Sequence, residues 1–132
     1  MLSFVRRISA HLYVPVGWTL ITIILLCLPG SAIPKVGMYG LSNVDKFVHF
    51  ILFGFIAMTW TINVSLKSPL QWKKWLVIFC LFSISLGIAL EFVQLYFIPN
   101  RDFDVWDILA DSLGAIVFSA ILYNTQARAL VK

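Results

Sequence analysis

The chain has 132 residues, of which 61% are hydrophobic and 12% charged, with a formal net charge of +4. A soluble domain lies nearer half apolar and a quarter charged. So short a chain cannot hide this much apolar surface from water, which excludes a soluble globular domain and makes lipid the expected solvent for most of it.

Four apolar stretches read as membrane spans: about 12–28, 47–64, 75–98 and 105–123. A crossing takes roughly 20 residues, with a range near 17–25, and backbone groups in lipid must be satisfied within the segment, so each is predicted helical. A β-barrel would show short alternating strands, and the sequence has none. The first stretch, behind Arg6 and Arg7 and ahead of Gly30-Ser31-Ala32, has the outline of a signal peptide. Its apolar run exceeds a usual signal core, so it is read as a retained span. Cys27 and Cys80 fall inside spans without metal-like spacing and read as small buried hydrophobes. The expected fold is all-α: one domain, 1–132, forming a four-transmembrane-helix bundle.

Charge sets the expected orientation. With the N-terminus inside, the inner segments carry Arg6, Arg7, Lys67, Lys73, Lys74, Arg128 and Lys132, and the outer ones Lys35, Lys46 and Arg101. Seven against three satisfies the positive-inside rule, and both termini are expected in the cytoplasm. The basic balance is thus an orientation signal with contact to anionic lipid heads, and no nucleic-acid partner is expected. Trp18, Trp60, Trp72, Trp75 and Trp106 lie mostly near span ends, where interfacial anchors sit.

In that orientation all six acids, Asp45, Glu91, Asp102, Asp104, Asp107 and Asp111, fall on the outer half. Asp104, Asp107, Asp111 and Gly114 follow one another at spacings of 3, 4 and 3 and share a helix face, as do Gly87, Glu91 and Gln94; Asp45 and His49 are i and i+4. Turning these stripes to lipid would cost on the order of 2.5–3.5 kcal/mol per charge near a span centre, so they are expected to face one another around an outward-opening polar pocket. Gly87 and Gly114 would admit close helix approach.

Two motifs at these positions resemble the VanZ-like family of small bacterial membrane proteins. One is DKFVHFILFGF, Asp45 to Phe55; the other is EFVQLYFIPNRDFDVWDILADSLGA, Glu91 to Ala115. The chain departs from the family pattern at Asp111, where Asn is common, and at Phe118, where a small residue often stands. The resemblance implies an integral protein of the bacterial cytoplasmic membrane with a cell-envelope role. The family takes its name from a protein linked to resistance against the glycopeptide teicoplanin. It does not settle a reaction.

Some of these acids also have a structural explanation. Asp104 can be the N-cap of the last span with Asp107 its N3 acid, and Ser42 with Asp45 makes a capping box, each cap worth about 1 kcal/mol. Capping does not account for Asp111, two turns into its helix, or for Glu91, near a helix C-terminus where the dipole disfavours an anion. On an enzymatic reading His49, Glu91 and Asp111 are the catalytic candidates, with His49 and Glu91 as the acid/base pair. Asp45, Lys46, Gln94, Arg101, Asp104 and Asp107 are the ligand-binding candidates, Arg101 gripping an anion and Gln94 orienting a neighbour. No cofactor is expected. A metal held by His49, Glu91, Asp107 and Asp111 has no HxxxH or HExxH spacing behind it, and no metal site is assigned. Three functions compete: a pocket for a lipid-linked or glycan-linked envelope ligand, a non-catalytic assembly partner, and a proton or ion pathway. The last is disfavoured because the inner half offers only Thr59, Thr61, Asn63, Ser83 and Ser85.

Overall fold

The computed structural model describes residues 11–29 and 41–131, without the side chains of 41–43 and 126–131. Its elements are α1 (Tyr13–Leu26), α2 (Leu41–Lys67), a 3₁₀ turn (Pro69–Gln71), α3 (Trp72–Phe97) and α4 (Val105–Val131). No strand occurs among the described residues. Three segments are long and apolar enough to cross a membrane: Val44–Lys67, Pro69–Phe97 and Val105–Thr125.

The first apolar stretch differs from expectation. Its 14-residue helix spans about 21 Å at 1.5 Å per residue, against a hydrocarbon core of about 30 Å. The helix stops at Leu26, Cys27 forming its C-cap, just ahead of Leu28-Pro29, whereas the apolar run continues to Leu28. Pro15 sits in the first turn, where its missing N–H costs no intrahelical bond.

Helix α2 is the centre of the bundle and packs on the other three, while α1 touches α2 and α3 but not α4 among the described residues. Leu26, Leu52, Phe53, Ile56 and Leu90 form the buried core, flanked by Trp18, Ile23, Trp60 and Leu86. Two indoles tie α1 to α2: Trp18 Nε1 donates to the Leu52 carbonyl and Trp60 Nε1 to Thr19 Oγ1, both at 3.0 Å. Trp18 and Trp60 therefore tie α1 to α2. The outer faces stay apolar: Leu20, Ile24, Leu81, Ile88, Leu113 and Ile121 are exposed, as lipid-facing residues are.

Glycines set how closely the helices approach. A Cβ on Gly114 would run into the Phe50 backbone carbonyl, so α4 rests on the main chain of α2 there. One turn further along α4, Phe118 fills the space that Gly54 leaves on α2, its Cδ2 lying 2.5 Å from where a Gly54 Cβ would stand. The bulk at Phe118 is thus accommodated by the opposite helix.

Between α3 and α4 the chain turns at Pro99-Asn100. Asn100 has φ 58°, the left-handed region that Asn tolerates better than most residues. The turn brings Arg101 and Asp104 back over the ends of α2 and α3. The opposite end of the bundle is basic: Lys67 donates to Asn63 Oδ1, and Lys73 lies over the rings of Trp72 and Tyr123.

Candidate functional site

The start of α2, the end of α3 and the start of α4 bring their polar residues to one end of the bundle. His49, Glu91 and Asp111 are each 1% exposed. His49 Nδ1 lies 2.9 Å from Asp111 Oδ1, bridging α2 and α4. Gly87 of α3 makes room for that carboxylate, since a Cβ there would sit 2.6 Å from Asp111 Oδ2. The pair is therefore held by three helices: two supply its side chains and the third supplies an absence of one.

Glu91 reaches a different partner. Its Oε2 accepts the backbone N–H of Asp104 at 3.0 Å, while Asp104 Oδ1 accepts the N–H of Trp106 at 2.8 Å. Asp104 is thus the N-cap of α4, as the sequence indicated. Glu91 takes the part of the reciprocal acid in a capping box, supplied from another helix. The dipole argument against an anion at Glu91 considered its own helix alone. The carboxylate in fact lies at the positive end of the next one, so capping does reach Glu91. Asp107, the expected N3 acid, turns toward Lys46 instead.

Lys46 Nζ is 2.8 Å from Asp104 Oδ2 and 3.3 Å from Asp107 Oδ1. The hydrogen bond from Lys46 holds the Asp104 carboxyl below its ordinary pKa. Arg101 Nη1 lies 3.8 Å from Asp45 Oδ2, a looser ion pair between a largely buried guanidinium and a partly exposed carboxylate. The Ser42 half of the expected capping box on Asp45 lies outside the described side chains. Gln94 turns away from the acids: its Nε2 donates to the Leu26 carbonyl at 2.9 Å, satisfying the last turn of α1. Asp102 has an exposed side chain in the α3–α4 connection.

A family model for VanZ/LLP1 matches residues 4–126. The chain belongs to the VanZ/LLP1 family. The match embraces all of α1 to α3 and most of α4, including every residue of the polar end, so this VanZ/LLP1 chain is a helical, membrane-type protein with three described segments able to cross a bilayer. No curated protein and no solved structure matches it.

Sequence periodicity brought the polar stripes to one end of the bundle but misjudged two partnerships. It missed the service of Glu91 to the α4 N-terminus, and it placed Gln94 among the acids. A third grouping was not foreseen. Asp45, His49 and Asp107 each offer a ligand atom, all within 4.8 Å of one another. The i, i+4 relation of Asp45 and His49 was the legible part of that signal. Several polar residues of the rest of the bundle are bonded to main-chain carbonyls, Thr22 and Thr61 within their own helices and Ser83 across to α2. Thr22 donates to the Trp18 carbonyl, Thr61 to that of Ala57 and Ser83 to that of Phe53.

Proposed function

We propose that this VanZ/LLP1 protein spans the bacterial cytoplasmic membrane four times, termini inside, and uses its acidic end as an outward-facing site for a lipid-linked or glycan-linked envelope ligand. The observation that carries the reading is the buried His49–Asp111 pair lying beneath the Lys46–Asp104 and Arg101–Asp45 ion pairs. Burying such a pair is costly, and ionisable groups inside a span generally mark a working site. Arg101 is loosely held and suits a phosphate or carboxylate in a fork-like grip. A ligand that displaces Asp45 from Arg101 would open the way to His49. The distribution of Lys67, Lys73 and Lys74 at the other end of the bundle supports the orientation.

Acid–base chemistry by His49, Glu91 and Asp111 is the enzymatic form of this reading, and teicoplanin susceptibility is its cellular form. The test is binding of a polyprenyl-phosphate-linked disaccharide to the protein in nanodiscs, followed by native mass spectrometry. Wild type should retain the lipid, and His49→Ala and Arg101→Ala should lose it while keeping their helix content. Equal retention by both variants would end the proposal.

A further inference from the structure

We propose that Asp45, His49 and Asp107 form a binding site for a divalent transition-metal ion of the Mn²⁺ or Zn²⁺ kind. Their ligand atoms fall within 4.8 Å of one another, with His49 and Asp107 buried and Asp45 half-buried. Three donors about 2.1 Å from one ion stand about 3.4 Å apart in a tetrahedral shell, so the side chains must draw together by about 1.4 Å at most, shared among three residues, to close it.

Independent support comes from the imidazole. Its Nδ1 is engaged by Asp111 Oδ1 at 2.9 Å, whereas Nε2 is buried with no hydrogen-bond partner among the described residues. An ionised Asp111 on Nδ1 takes a hydrogen bond from it, and in the neutral imidazole the lone pair then sits on Nε2, free to serve a metal. Metal-ligating histidines are oriented in this way by a carboxylate behind the ring. A buried nitrogen without a partner is costly, and the residue that carries it stands within ligand reach of both Asp45 and Asp107. One imidazole nitrogen and two carboxylate oxygens suit a borderline ion better than Ca²⁺, which takes six to eight oxygens.

Charges around the site sharpen the expectation. Two carboxylates and a neutral imidazole sum to −2 and balance a divalent ion. Lys46 engages Asp107 Oδ1, and Arg101 faces Asp45 Oδ2 at 3.8 Å. Arg101 is therefore a competitor for Asp45, and its removal should tighten metal binding. This inference stands on its own geometry and needs no lipid ligand, although a bound cation would also draw the anionic head group proposed above.

The experiment uses the full chain purified in detergent, dialysed against Mn²⁺ or Zn²⁺ alone and measured by inductively coupled plasma mass spectrometry and calorimetry. Wild type should hold one ion per chain. Asp45→Asn and His49→Ala should lose it, Asp111→Asn should weaken it about 10–100-fold as loss of an outer-shell partner does, and Arg101→Gln should strengthen it. His11→Ala, remote from the cluster in sequence, should bind as wild type does. Asp45 is half-exposed at the surface, so Asp45→Asn keeps the test informative if His49→Ala does not fold. Absence of a stoichiometric ion in wild type, or unchanged affinity in Asp45→Asn, would overturn the proposal. Failure of lipid retention with metal binding intact would instead strike the ligand reading.

Discussion

Gly87→Ala adds one methyl to α3, and the structure gives its consequence for a hydrogen bond between α2 and α4. The new Cβ would stand 2.6 Å from Asp111 Oδ2, 3.0 Å from its Cβ and 3.1 Å from its Cγ. Ordinary contact begins at 3.4 Å, so the carboxylate must retreat about 0.8 Å. Added to the 2.9 Å His49–Asp111 separation, a retreat along that line gives about 3.7 Å, beyond hydrogen-bonding distance. A hydrogen bond to a charged group is worth about 1.5–3 kcal/mol, and replacing Gly by Ala within a helix returns about 1 kcal/mol. Net destabilisation is therefore about 0.5–2 kcal/mol, before any added cost of overpacking. The assay is a double-mutant cycle by reversible unfolding in mixed micelles. In an Asp111→Ala background the bond is already gone and the 2.6 Å contact is removed, leaving the tight 3.0 Å approach of the two Cβ atoms. The cost of Gly87→Ala should shrink there by about 1.5–3 kcal/mol, the worth of the bond. An identical cost in both backgrounds would refute the reasoning.

Gly114→Ala should separate α2 from α4 at Phe50 and destabilise by about 1–3 kcal/mol as overpacking does, read in the same micelle assay. Asp104→Ala should cost about 1 kcal/mol through loss of the α4 N-cap, with hydrogen exchange rising first at Trp106. Asp104 is also a pH probe. Its folded pKa is depressed by Lys46, so its contribution is present above the unfolded value of about 3.9 and is lost as pH falls through the folded value. Lys46→Gln should accordingly flatten the acid limb of the stability profile. Gln94→Leu should release the end of α1, costing about 1–3 kcal/mol for the orphaned Leu26 carbonyl, with proteolysis near Leu28 as the readout.

Hydropathy located the apolar segments because lipid demands long, internally bonded helices. It misplaced their ends because helicity does not stop where hydrophobicity does. Helix α2 begins at Leu41, ahead of polar Asp45 and Lys46, and α4 runs to Val131. For α1 the error is reversed, with apolar residues continuing past the helix into Leu28-Pro29. The convergence of acids was legible because 3.6-residue periodicity fixes which residues share a face. Periodicity does not say which atom meets which. Glu91 and Gln94 share a stripe, yet one serves the N-terminus of α4 and the other the C-terminus of α1. Those partnerships depend on how α1 and the Pro99-Asn100 turn lie against the bundle. Phe118 shows the same limit: it departs from the family pattern of a small residue there, and Gly54, distant in sequence, supplies its space.

The most direct measurement of the outward-facing site is thiol labelling of intact cells. A cysteine replaces Asp102 in the α3–α4 connection, in a chain carrying Cys27→Ser and Cys80→Ser, and a membrane-impermeant maleimide is applied. The account predicts full modification before permeabilisation, with the Arg101 connection on the external surface. Modification confined to permeabilised cells would place the acids on the cytoplasmic side and contradict it.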